Sequence, residues 1–271
     1  MTFPESNSDA VIGRGNSFWI FLLPFIEMDA LANQYDIDEG GWTGSGNNDN
    51  RDLLTDLTIP FLICPSSTLD LFPQVPNPDL PSVGSGLTGN FPPTAFRPNY
   101  FGISGSSEHP SVIEGDGAGS LLSDGGVIAL RPTSIGRISD GTSNTLLLGE
   151  QSDFMTTDVN GVLTQIDVRS DGNSGFSTGE TDFEGMGTSS NSRRKFQTTT
   201  LSETLNFRDF DALIGAEGNM GPNRPLVSAH PGVVTVALAD GSTHFLSEGL
   251  GLNELFNLAD KDDGQVVSVE N

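Results

Sequence analysis

A single-domain α+β fold is what this sequence predicts, and three observations predict it. With 33 glycines, 16 prolines and 35% hydrophobic residues, the chain is too rich in turn formers for a helical protein. An apolar run near the N-terminus, Phe18–Ile26, opens a stretch with the spacing of a helix stripe. Near the C-terminus, two β-rich runs flank Asp240-Gly241, the signature of an antiparallel hairpin. At 271 residues the chain is long enough to bury one sizeable core.

Residues 1–15 are polar and read as a flexible end, so the domain proper spans 16–271. From Ser17 as N-cap, a helix carries Leu22, Leu23, Ile26 and Leu31 on one stripe. Pro24 lacks an N–H and must start a new turn or kink the element, and Gly40-Gly41 ends it. A loop over 43–52 leads to a short helix or turn at Leu53–Leu57, then to a buried strand at Ile59–Cys64. Residues 65–99 hold much of the proline and form an extended connection. Short strands follow at 99–103, at Val127–Leu130 after a Gly/Asp loop, and at Thr145–Leu148 after a turn at Asp140-Gly141. Residues 151–200 are poor in apolar side chains and read as a polar insertion, a long loop over 170–195 in particular. A short helix or strand is expected around Leu205–Leu213, a last helical turn at Asn253–Ala259 and a terminal strand at Gln265–Val269.

The hairpin is the sharpest local expectation. With Asp240 and Gly241 as a type I′ pair, Ala239 faces Ser242, Ala237 faces His244 and Val236 faces Phe245. Val234, Val236, Leu238 and Phe245 then point to the core. Thr235, Ala237, Ser242 and His244 take the wetter face.

Charge narrows the function. A formal net charge of −24 repels phosphate backbones and anionic lipid, so nucleic acid is not an expected partner. The run Phe18–Ile26 has a central proline and is too short to cross a bilayer as a helix. No basic segment precedes it and no small-residue cleavage site follows, so it is not a secretory signal, and the chain as written has no export route. Cys64 is the sole cysteine, which precludes an intrachain disulfide, and its apolar surroundings predict a buried, inert thiol.

Apparent catalytic motifs fail on context. Gly175-Phe176-Ser177-Thr178-Gly179 matches G-x-S-x-G, but its flanks are polar and Gly-rich where a nucleophile elbow needs a strand and a helix. Gly84–Gly89 matches G-x-G-x-x-G but runs into Phe91-Pro92-Pro93, with no helix to hold a pyrophosphate. His109, His230 and His244 show no helical zinc spacing. His230 and Asp240 invite pairing as base and orienter, yet ten extended residues separate them by about 33 Å. His230 is expected to bond backbone where the strand begins. Neither a catalytic residue nor a metal ligand is expected, and no cofactor. The one alternative is Ca²⁺, for which Asp36–Glu39, Asn47–Asp52 and Asp167–Asp171 offer hard oxygen ligands; Asx-turns account for the same residues without a metal.

Five stretches in order resemble one family. They are Leu22-Leu23-Pro24-Phe25-Ile26-Glu27, then Phe61–Ser66 with Cys64-Pro65, and Asn99-Tyr100-Phe101-Gly102. Ile138–Thr145 follows, carrying Asp140, Gly141, Ser143 and Asn144, with Gly149-Glu150 beyond it. His230 and Asp240-Gly241 complete the set, a His, a nine-residue gap and Asp-Gly. Together they look like domain of unknown function 1559, the pseudopilin-like proteins of planctomycete-type bacteria. The resemblance implies a pilin-like globular head, with an N-terminal helix packed on a mainly antiparallel sheet and long Gly/Pro-rich loops. It implies a non-enzymatic structural or assembly role in the cell envelope, with other pilin-like or envelope proteins as partners. An extracellular surface binding module that uses the insertion as its variable face, with Ca²⁺ as its candidate ion, is the alternative. Family members open with a basic leader and a long hydrophobic helix. Here Met1 falls after the point where that helix would end, which leaves a late start codon, a trimmed form or a lost anchor.

Overall fold

Three hydrophobic clusters and one mixed sheet organise the molecule, a computed structural model that describes residues 15–39, 41, 49–72, 96–115, 120–129, 132–167, 169–170, 175–180, 195–215, 223–267 and 269. The strands are β1 (Tyr100–Ser106), β2 (Ile113–Glu114), β3 (Leu121–Leu122), β4 (Leu146–Glu150), β5 (Met155–Val159), β6 (Val162–Ile166), β7 (Thr198–Leu201), β8 (Val233–Leu238) and β9 (Thr243–Ser247). Four short helices accompany them: α1 (Phe18–Leu22), α2 (Asp29–Ala32), α3 (Asp49–Leu54) and α4 (Leu252–Ala259). The main sheet runs β7-β1-β4-β8-β9, antiparallel except where β7 pairs in parallel with β1. The fold is α+β, as the composition and hairpin patterning predict.

Each face of the sheet is covered. On one, Val234, Val236, Leu238, Leu146 and Ile103 pack with Leu255, Phe256 and Leu258 of α4. Burying such a side chain contributes about 1.5–3 kcal/mol, so this face is a principal stabiliser. On the other, Phe18, Trp19, Leu23, Leu54 and Ile59 pack with Phe96 and Ile128, against the inner flank of Tyr100, Leu147 and Leu148. Gly102 lets Ile128 pack close to β1, since a Cβ there would lie 3.0 Å from the Ile128 side chain.

The N-terminal element is broken rather than continuous. α1 gives way to a 3₁₀ turn at Leu23–Phe25 containing Pro24, and Glu27 at φ 61° stops the helix before α2. The expected stripe survives, with Leu23 and Leu31 buried. Ser17 precedes α1 but makes no side-chain cap; its hydroxyl donates instead to the Phe176 carbonyl at 2.5 Å.

Several expected strands are absent from the sheet. Of the buried strand expected over Ile59–Cys64, only Ile59, Leu62 and Cys64 are buried and Phe61 is exposed; Pro60, which cannot donate to a ladder, starts a 3₁₀ turn over Pro60–Leu62. Around Val127 the chain bends, with Ile128 donating once to Ile103 at 3.2 Å. Leu205–Leu213 yields only a 3₁₀ turn at Phe210–Ala212, and residues 265–267 join no ladder. The polar stretch 151–200 is not simply a loop. It contains the β5–β6 hairpin and supplies β7, an edge of the main sheet.

The C-terminal hairpin exists, one residue out of the expected register. Ala237 pairs with Thr243, Val236 with His244 and Thr235 with Phe245. Leu238 N–H donates to the Ser242 carbonyl and Gly241 N–H to the Leu238 carbonyl, both at 2.9 Å. The loop is therefore Ala239-Asp240-Gly241, three residues with only Gly241 at positive φ, 87°. Asp240 sits in an Asx-turn, accepting from Ser242 N–H at 2.8 Å and its hydroxyl at 2.6 Å, which makes the longer loop favourable. The slip moves every β9 side chain to the opposite face. Leu246 is buried, whereas Phe245 is 70% exposed.

Candidate functional site

The residues of the sequence motifs gather in two places. One is a structural knot. Asp140 accepts from Asp263 N–H at 2.9 Å and Gly264 N–H at 3.1 Å, pinning the chain after α4. Asn144 donates to the Asp140 carbonyl at 3.0 Å, and Gly141 takes positive φ in the same turn. Asp240 N–H donates to the Thr142 carbonyl at 3.0 Å, so the hairpin tip docks on this turn. Ser143 is exposed beside it. Both carboxylates serve backbone amides, which accounts for their residue type without chemistry.

The second place has chemical potential. Cys64, Glu150 and His230 each point a ligand-type atom at one spot, all within 4.8 Å of one another. Cys64 Sγ lies 3.4 Å from His230 Nε2, and that nitrogen lies 3.7 Å from Glu150 Oε1. Cys64 and Glu150 are fully buried, while the His230 side chain is about one third exposed and marks the solvent side.

Three elements place these groups. Cys64 follows the 3₁₀ turn at Pro60–Leu62, and its N–H donates to Asn99 Oδ1 at 2.9 Å, tying the turn to the start of β1. Pro65 is exposed behind it. Glu150 is the last residue of β4. His230 lies just ahead of β8, where Gly232 at φ 75° turns the chain into the strand. His230 and Asp240 stand at opposite ends of β8, as the strand-length estimate requires.

Two serines organise the cluster. The Ser152 hydroxyl donates to Glu150 Oε1 at 2.6 Å and accepts from Ala229 N–H at 2.9 Å. The Ser228 hydroxyl donates to Oε2 at 3.0 Å and accepts from His230 N–H at 3.0 Å. Thr235 N–H also donates to Oε2 at 3.0 Å. Burial pushes the Glu150 carboxyl up, but hydrogen bonds from Ser152, Thr235 and Cys64 outweigh it and hold the group below its ordinary value. Burial, together with the neighbouring Glu150, pushes the Cys64 thiol up. Burial, with the charges of Glu150 and Cys64 behind it, also pushes the Tyr100 phenol up to about 12. A buried thiol facing a carboxylate is a poor nucleophile.

Sequence reading places Cys64, Glu150 and His230 among the motif residues but does not bring them together, and it misses Asn99 as a clamp and Ser152 and Ser228 altogether. The hydroxyls at 152 and 228 sit two residues beyond Glu150 and two before His230, a symmetry visible only once β4 and β8 are known to be neighbours.

The other motifs settle into structural roles. Ser177 is buried, and its carbonyl accepts from Ser17 N–H at 2.8 Å, with Thr178 bridging Asn16. Among the described residues 175–180 no strand or helix adjoins it, so the strand–turn–helix of a nucleophile elbow is not formed there. Gly84–Gly89 lies outside the described residues. Among the acidic loops, Asp167 is committed to Arg97 and Arg169, each at 2.6 Å. Asp36 Oδ1 accepts from Asp38 N–H at 2.9 Å in an Asx-turn. Asn47, Asn48 and Asp171 lie outside the described residues. No described helix is long and apolar enough to cross a membrane.

No curated protein and no solved structure matches this chain. Residues 1–252 match the family described as protein of unknown function (DUF1559), which is most of the 271 residues. The five motif stretches and this match agree, and the chain belongs to the DUF1559 family.

Proposed function

We propose that this chain is the globular head of a pilin-like protein of the cell envelope, a structural or assembly component comparable to a type II secretion pseudopilin and without catalytic activity of its own. The observation that carries the reading is the way the N-terminal apolar run meets the sheet. Phe18, Trp19 and Ile20, each 4% exposed, are buried against the face that holds Phe96 and Ile128. In this reading the buried residues of α1 tie the N-terminal end of the described chain to the α+β body. Partners in this reading are other pilin-like or envelope proteins, and the net charge of −24 keeps nucleic acid out.

The test is to isolate the protein from its own cells, identify its N-terminus by mass spectrometry and determine what co-purifies with it. A processed, N-methylated hydrophobic segment ahead of the matched residues, in an envelope fraction with other pilin-like proteins, is the expected result. A cytoplasmic monomer with measurable turnover overturns the proposal.

A further inference from the structure

We propose that Cys64, Glu150 and His230 form a binding site for one zinc-class divalent transition-metal ion, with water completing the coordination. This inference stands apart from the envelope role and survives or fails independently of it.

Geometry is the first argument. A tetrahedral ion with Zn–S near about 2.3 Å and Zn–N or Zn–O near about 2.0–2.2 Å sets sulfur and nitrogen about 3.5 Å apart, and nitrogen and oxygen about 3.4 Å apart. The observed separations are 3.4 Å for Cys64 Sγ to His230 Nε2 and 3.7 Å for Nε2 to Glu150 Oε1. At 3.7 Å the imidazole–carboxylate pair is longer than a direct hydrogen bond and falls within the spacing of two ligands on one ion.

Donor chemistry selects the metal class. A thiolate, an imidazole and one carboxylate suit Zn²⁺ and its neighbours, whereas Ca²⁺ and Mg²⁺ require an oxygen cage. Three protein ligands leave one position for water, on the side of the cluster marked by the partly exposed His230 ring.

The supporting shell is the third argument. Glu150 Oε2 accepts two hydrogen bonds, from Ser228 and Thr235, and Oε1 one from Ser152, while the hydrogen bond from the Cys64 thiol is given up when that thiol loses its proton to the solvent and binds the ion. Both serine hydroxyls are themselves held by backbone N–H groups at Ala229 and His230. Ligand carboxylates fixed in this way are characteristic of metal sites. Among the described residues, this is the only such grouping of three ligand side chains. Binding displaces the thiol proton, which leaves to solvent, and no redox step is involved.

The experiment uses the full chain without a histidine tag, stripped with chelator and exchanged into metal-free buffer. Co²⁺ is titrated as the spectroscopic probe, and Zn²⁺ is then added in competition. The expected result is one equivalent of Co²⁺ with a sulfur-to-cobalt charge-transfer band and tetrahedral d–d bands, bleached by Zn²⁺. Zn²⁺ also raises the melting temperature. Cys64→Ser abolishes the charge-transfer band, and His230→Ala weakens binding beyond the about 10–100-fold expected for Ser228→Ala. His230→Ala alters a partly exposed side chain, so its melting temperature in chelator should match that of the wild type and separates lost binding from lost folding. Absence of the thiolate band in folded wild-type protein, or equal Co²⁺ and Zn²⁺ affinity in wild type and His230→Ala, overturns the proposal.

Discussion

Asp167 and Glu150 are two carboxylates largely shielded from water, and the fold answers them in opposite ways. Asp167 meets two cations. Arg97 Nη1 and Arg169 Nη2 each reach Oδ2 at 2.6 Å, and Arg169 Nε reaches Oδ1 at 3.1 Å. Burial pushes this carboxyl up, but the charges of Arg169 and Arg97 hold it far below the usual carboxylate range. Glu150 accepts its hydrogen bonds from two serine hydroxyls, one backbone N–H and the Cys64 thiol, with the His230 ring farther off at 3.7 Å. At the first site the carboxylate is fully countered, and the Arg169 guanidinium goes on to bind the carbonyls of Arg97 and Asp70. At the second no guanidinium or ammonium lies against the carboxylate, and the nearest cationic-type group is the His230 ring at 3.7 Å. A closed ion network staples loops together, whereas a charge solvated only by dipoles is disposed to receive a cation.

The contrast can be broken most forcefully at Asp167. Replacing it with Asn removes the carboxylate that Arg97 and Arg169, 4% and 1% exposed, share. The expected loss is about 3–5 kcal/mol, read from urea unfolding. A loss below about 1 kcal/mol means that the carbonyls alone suffice for the guanidiniums. Glu150→Gln strands only neutral donors that can turn elsewhere, so a smaller loss of about 1.5–3 kcal/mol is expected in metal-free protein. If the two variants cost the same, the distinction between the sites collapses.

Acid titration sharpens the comparison further. The folded-state value of Asp167 lies below its unfolded value of about 3.9, so its contribution is whole above about pH 4 and drains away as the pH falls. The wild type should therefore lose stability steeply below about pH 4, and Asp167→Asn should do so with a flatter slope. Glu150 is shifted in the same direction, so Glu150→Gln should flatten the slope as well, but less. A steeper slope in either variant contradicts the assignment.

How much of this was legible in the sequence depends on range. Periodicity revealed α4, the buried N-terminal stripe and the existence of the C-terminal hairpin, all local features. The hairpin's register failed because Asp240-Gly241 satisfies two turns, and the Asx-turn to Ser242 selects the three-residue one. A genuine two-residue turn with both residues at positive φ occurs at Asn160-Gly161, φ 55° and 85°, between Val159 and Val162. It was overlooked because the surrounding stretch is low in apolar residues. The Cys64 cluster is beyond any local signal. Its apolar flank shows that Cys64 is buried, and nothing near it in sequence points to His230. Their meeting depends on β4 lying beside β8 and on Asn99 clamping the Cys64 backbone.

The order of the main sheet also sets the pace at which the chain can fold. Of its four pairings, only β8–β9 joins strands adjacent in sequence. The others bring Tyr100 to Glu150, Gly149 to Val236 and Gly102 to Thr198. Each must close a long loop before its contacts reward the lost chain entropy. Such topologies fold on the order of milliseconds to seconds, far slower than helical bundles. β4, flanked by β1 and β8, is the strand whose docking unites the early and late parts of the chain, and its last residue is Glu150.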